Sequence, residues 1–198
     1  MCFRLNVLIQ LVVMLLLILE VCGTLTTSLV QIYNATIFQI TSKFEFTNIQ
    51  CNSLDDDFSG IENCFLKSVN RSYKYLSLKV NLHKKPVSEI KVNVSLLKRF
   101  NGYKPFLYNI TVDACKFLKN PKSKPIFNYF YSFFITQSNL NHSCPYDHDV
   151  IVDRLTADFV NHKITKVLSF PEGDYMVETN WMANGVNRAL VKIYGTLS

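Results

Sequence analysis

The middle of the chain alternates apolar and polar residues with period two. Leu76, Leu78, Val80 and Leu82 lie on one side, with Tyr75, Ser77, Lys79 and Asn81 between them. The same alternation recurs in Ile90, Val92, Val94 and Leu96, and again in Phe106, Tyr108, Ile110 and Val112. Such a pattern predicts strands with one buried and one wet face, because successive side chains in a strand point to opposite sides. Asn93 and Asn109 both fall on the wet side.

Two earlier segments, 44–50 and 62–69, read as further strands joined by a polar turn over 52–60. Near the end of the chain, 174–182 and 188–197 read as a hairpin around Ala183-Asn184-Gly185, since Asn-Gly favours the tight turns that join antiparallel strands. Trp181 shares a face of that hairpin with Tyr175 and Val177. Strands at regular spacing with turn residues between them predict a mainly β fold, a sandwich of two antiparallel sheets.

One segment departs from period two. Phe127, Phe130, Tyr131 and Phe134 stand at i, i+3, i+4 and i+7, the stripe of an amphipathic helix. Tyr129 and Phe133 widen its apolar surface, and Pro121 and Pro125 limit where the helix begins. An aromatic-rich helix is therefore expected between Cys115 and Cys144. It either packs on a sheet edge or also covers a ligand site.

The N-terminus has its own grammar. Arg4 gives a short positive region, Val7 to Leu19 are apolar apart from Gln10, and Glu20 ends the run before Val21-Cys22-Gly23. This is the form of a secretory signal peptide over residues 1–23, too short for the roughly 20 apolar residues of a membrane anchor. The mature chain, 24–198, is expected to be one soluble extracellular domain. Cys2 and Cys22 leave with the leader, so Cys51, Cys64, Cys115 and Cys144 remain, which reads as two disulfides in an oxidising compartment. Three pairings exist. Nearest neighbours, 51 with 64 and 115 with 144, are preferred because each pair brackets one local element. Five triplets, at Asn34, Asn70, Asn93, Asn109 and Asn141, fit the N-glycosylation acceptor pattern.

The net charge of +6 is moderate and its lysines are scattered, which suits a solvated surface. Nucleic acid is not an expected partner of a secreted chain. Candidate chemistry is sparse. Asp55-Asp56-Asp57-Phe58-Ser59-Gly60 resembles the start of a calcium loop, but Leu66 stands where the bidentate carboxylate belongs, so an acidic turn is the reading. His142, Cys144, Asp147 and His148 match no standard zinc spacing, and Cys144 is needed for a bridge. No G-x-S-x-G, phosphate-binding loop or H-E-x-x-H is present. No catalytic residue, metal site or cofactor is expected.

Several motifs taken in order carry a family likeness. They are Cys64-Phe-Leu-Lys67-Ser-Val-Asn70-Arg71, Asp113-Ala-Cys115-Lys-Phe117 with the aromatic helix, Asn141-His-Ser-Cys144-Pro145-Tyr146, and Phe170-Pro171-Glu-Gly173-Asp174-Tyr175 with the closing hairpin. Over residues 40–198 the chain resembles a large insect family of secreted proteins of unassigned function. That family is similar to the lipid-recognition (ML) domains, and some of its members are implicated in chemosensation. The resemblance implies an immunoglobulin-like β-sandwich whose sheets splay apart around a hydrophobic ligand.

The resulting expectation is a secreted, non-enzymatic binding protein for a lipid, sterol or hydrocarbon. The residues expected at its cavity are Leu78, Val80, Val92, Val94, Tyr108, Ile110, Phe127, Phe130, Phe134, Tyr175 and Trp181. The alternative is an extracellular interaction protein that engages a membrane receptor or channel and holds no cargo. A continuous cavity of roughly 300 Å³ or more separates the first from the second.

Overall fold

Among the described residues, eight strands form two antiparallel sheets. In the computed structural model, which describes residues 43–70, 73–167 and 170–198, the large sheet has the order β1-β8-β7-β4-β5 and the small one β2-β3-β6. The strands are β1 (Phe44–Ser53), β2 (Ser59–Ser68), β3 (Lys74–Leu82), β4 (Ile90–Phe100), β5 (Gly102–Asp113), β6 (Val150–Thr156), β7 (Gly173–Ala183) and β8 (Val186–Leu197). The expected signal peptide and Asn34 lie outside the described residues.

The period-two segments become β3, β4 and β5, with Leu76, Val92, Val94, Leu96 and Val112 buried. Inward faces of both sheets meet in one core that joins Leu76, Val152 and Leu155 of the small sheet to Phe44, Phe46, Ile49, Leu96, Tyr175 and Val191 of the large one. The hairpin closes through a two-residue loop in which Asn184 (φ 52°) and Gly185 (φ 76°) both take positive φ, as a type I′ turn requires. At the other end of β8, Gly195 leaves room for Phe44. A Cβ at Gly195 would lie 2.2 Å from the Phe44 ring.

Both disulfides adopt the nearest-neighbour pairing. Cys51–Cys64 ties β1 of the large sheet to β2 of the small one, and Cys115–Cys144 ties the segment after β5 to the loop before β6.

The helical region is more divided than the aromatic stripe predicts. Between β5 and β6 come α1 (Ala114–Lys119), α2 (Pro125–Tyr131) and single 3-10 turns at Pro121–Ser123 and Ile135–Gln137. Asp113 caps α1 by accepting a hydrogen bond from the Lys116 amide at 3.0 Å. α2 ends before Phe134 because Ser132 turns its hydroxyl back to the Tyr129 carbonyl at 2.7 Å, a local bond that competes with further helix. Phe134 therefore sits beyond the helix, with φ near −129°. Strand β6 and helix α3 (Ala157–Val167) were not expected from the sequence. α3 docks on β1 where the Asn161 side-chain amide donates to the Phe44 carbonyl at 3.0 Å. Among the described residues no helix is long and apolar enough to cross a membrane.

Candidate ligand cavity

Between the two sheets lie two apolar chambers. The first, of about 160 Å³, is walled by β3 (Leu76, Leu78, Val80, Leu82), by Val150 and Val152 of β6, by the β7–β8 hairpin, and by Leu140 and Tyr146 of the disulfide-tied loop. The second, of about 140 Å³, is walled by Phe44 and Phe46 of β1, Val92, Val94 and Leu96 of β4, Phe127 and Phe130 of α2, Val160 and Ile164 of α3, and Tyr175 and Val177 of β7. Neither alone reaches the roughly 300 Å³ of a drug-sized pocket. Each is comparable with the engineered cavity of about 150 Å³ that holds a benzene ring.

The chambers share a wall. Phe134, Leu155, Thr179, Trp181 and Ile193 line both. Thr179 and Trp181 point the same way from β7, and the indole N–H donates to the Thr179 hydroxyl oxygen at 2.9 Å. That bond satisfies the ring's polar edge within the strand and leaves its body to the chambers.

Each residue expected at the cavity can be placed. Leu78 and Val80 line the first chamber; Val92, Val94, Phe127, Phe130 and Tyr175 line the second; Phe134 and Trp181 separate them. Tyr108 and Ile110 line neither. Both pack against the α1–α2 cluster behind the second chamber, Tyr108 in edge contact with Phe130 at 5.8 Å between ring centres. Their strand β5 is the sheet edge, and the helices that cover this end fill the space in front of it. The walls also hold residues the sequence did not single out. Leu155, Val160 and Ile164 come from the β6–α3 segment, where the spacing 157, 160, 164 carries a helical signal.

Among the described residues lining either chamber, Arg188 is the one formal charge. The β7–β8 register steps from Trp181↔Ala189 to Met182↔Asn187, so Arg188 is the extra residue of a bulge. Freed from the ladder, its carbonyl accepts from the Leu54 amide at 2.8 Å. Its Nε donates to the Ala183 carbonyl at 3.3 Å, Nη1 pairs with Asp55 Oδ2, and the guanidinium lies 4.4 Å from the Phe58 ring centre. Asp55 also holds its own turn, accepting from the Phe58 amide with both its side chain and its carbonyl. The acidic run is thus tied into the wall of the first chamber.

Tyrosine hydroxyls at the walls turn back to the protein. Tyr146 donates to the His142 carbonyl at 2.6 Å, Tyr131 to the Leu140 carbonyl at 2.8 Å, and Tyr175 to the Pro171 carbonyl. Burial pushes the Tyr146 phenol up to about 12 and raises those of Tyr131 and Tyr175. His142 and His148 meet through their Nε2 atoms at 2.7 Å beside Tyr146, while Cys144 is held in its disulfide.

This architecture defines an antiparallel two-sheet protein with an apolar, compartmented interior. Residues 92–177, from β4 into β7, match a family described as Protein of unknown function (DUF1091). No curated protein matches the chain.

Proposed function

We propose that the protein is a secreted, non-enzymatic carrier or presenter of a small hydrophobic molecule, held between its sheets. The observation that carries this reading is the pair of adjoining chambers of about 160 and 140 Å³, which reach the size expected of a carrier only if taken together. Their walls are almost wholly carbon, and their polar groups, with few exceptions, bond to the protein itself. An apolar ligand placed there gains roughly 25 cal/mol per Å² of surface removed from water. Two disulfides suit an oxidising compartment, and Asn70, Asn109 and Asn141 are exposed where glycans have room. The resemblance to lipid-recognition domains and the chemosensory setting of some relatives point the same way.

The test is to express the secreted chain in insect cells and extract it for lipid mass spectrometry. A co-purified hydrophobic molecule at near-stoichiometric level is expected. A protein that emerges empty and takes up neither fluorescent fatty acids nor sterols overturns the reading.

A surface-interaction role, engaging a receptor or channel without cargo, is favoured by one observation. Phe65 and Tyr75 stack edge to face on the outer side of the small sheet, and Tyr73 lies 6.1 Å from Tyr75, with Phe65 and Tyr73 exposed. Substituting Phe65 and Tyr73 by Ser tests it: loss of binding to cells, with cargo retained, selects this reading.

A further inference from the structure

We infer that the cargo is a single flexible chain, electrically neutral and carrying one hydrogen-bonding oxygen, threaded through both chambers past Trp181 and anchored at Ser59. The inference rests on the carrier reading and narrows it to a ligand class.

Shape carries the first part. Two chambers of about 160 and 140 Å³ stand side by side with Trp181, Phe134 and Thr179 in the wall between them. A rigid fused-ring molecule such as a sterol needs one continuous space. A flexible chain needs only a side-chain adjustment at the partition, and rotamer changes are the least costly motion a packed interior allows.

Charge carries the second part. Arg188 is the one charged lining residue among the described residues, and Asp55, the Ala183 carbonyl and the Phe58 face already occupy it. A carboxylate brought there meets Asp55 as a like charge. Placed elsewhere in the chambers, it meets no charged partner among the described residues, and an unpaired buried charge is the most costly arrangement.

The hydroxyl inventory carries the third. Thr179, Tyr131, Tyr146 and Tyr175 all donate to backbone carbonyls. Ser59 differs. It is 3 % exposed, lines the first chamber, and stands opposite Leu82, another lining residue, so its side chain shares that inward face. Its amide donates to the Asp55 carbonyl and its carbonyl accepts from the Ser53 hydroxyl, yet its own hydroxyl makes no hydrogen bond to the described residues. The hydroxyl therefore faces the chamber with donor and acceptor capacity that no described group uses, and a ligand oxygen can take it up.

The experiment titrates the delipidated secreted chain with octadecan-1-ol, octadecanoate and cholesterol, following Trp181 emission and stoichiometry by native mass spectrometry. One octadecanol per chain is expected, with a change in Trp181 emission and about tenfold or greater preference over octadecanoate. Ser59→Ala is expected to weaken octadecanol about three- to tenfold and to leave octadecane unchanged. Should that variant not fold, the comparison of alcohol with acid on the unaltered chain still decides. Preference for cholesterol or octadecanoate, or two octadecanols per chain, overturns this inference while sparing the carrier reading. Failure of every probe to bind overturns both.

Discussion

The Trp181 indole N–H donates to the Thr179 hydroxyl at 2.9 Å, and these two residues of one strand stand in the wall between both chambers. The threonine in turn donates to the Val191 carbonyl at 3.3 Å, so one hydroxyl links the partition to the neighbouring strand β8. Thr179→Val keeps the shape and removes the acceptor, leaving the indole N–H without its partner. We expect a loss of about 1–3 kcal/mol in urea unfolding, together with a shifted emission from the sole tryptophan.

The Arg188–Asp55 pair lies between a surface and a buried ion pair, with side chains 16 % and 26 % exposed. Asp55→Ala removes the counter-charge and the side-chain acceptor for the Phe58 amide, which keeps its bond to the carbonyl of residue 55. Exposed pairs contribute under about 1 kcal/mol and breaking buried ones costs about 3–5, so a loss of about 1–3 kcal/mol is expected. Guanidinium chloride screens the pair, so the loss is best measured in urea at low and high salt. A partly buried pair is screened only weakly, so Asp55→Asn, which loses the charge and keeps a side-chain acceptor for the Phe58 amide, separates the charge from the turn.

How much of this was legible in the sequence depends on how local each signal is. β3, β4, β5 and the Asn184-Gly185 turn were readable because alternation and turn chemistry are properties of neighbouring residues. β6 was not: Val150-Ile151-Val152 runs apolar without alternation, and Arg154 takes a positive φ of 47° that breaks the strand's regularity. The aromatic stripe from Phe127 to Phe134 was readable as helix, but Ser132 ends α2 early by a bond that periodicity does not encode. Most of the predicted cavity residues followed from knowing the inward faces. Arg188 was invisible, since only the register of β8 against β7 reveals the bulge that frees it.

Alkaline pH offers a test of burial. The Tyr146 and Tyr129 phenols are each pushed up to about 12, Tyr146 by its removal from water and secondarily by Tyr131, Tyr129 by its removal from water and secondarily by Tyr108. A raised folded value means that the stabilisation is complete below the unfolded value of about 10 and is lost as pH climbs towards 12. Spectrophotometric titration is expected to show exposed phenols ionising first and these two last. Tyr146→Phe should lessen the loss of stability over that interval, at the expense of the bond to the His142 carbonyl.

The two disulfides should differ in weight. Sequence separations of 13 and 29 residues give about 3 kcal/mol for Cys51–Cys64 and about 3.5 for Cys115–Cys144 on the chain-entropy account. Replacing both members of each pair by Ser and comparing unfolding midpoints checks the order. The second replacement also frees the loop that carries Tyr146 onto the first chamber, so it is expected to weaken ligand uptake where the first does not.

Gly195 faces Phe44 so closely that a methyl group cannot be added without displacement. The Cβ of Gly195→Ala would fall 2.2 Å and 2.3 Å from Phe44 ring carbons and 3.0 Å from the Glu45 carbonyl oxygen. Phe44 is buried, packs edge to face on Phe46 at 5.2 Å and lines the second chamber, so its ring has little room to retreat except into that space. Overpacking of this kind costs about 1–3 kcal/mol. We expect Gly195→Ala to destabilise by that amount and to shrink the second chamber, and Phe44→Leu in the same chain to restore part of the loss. A double-mutant cycle measures the coupling directly, and additive effects would mean that the ring and the glycine do not share the space as described.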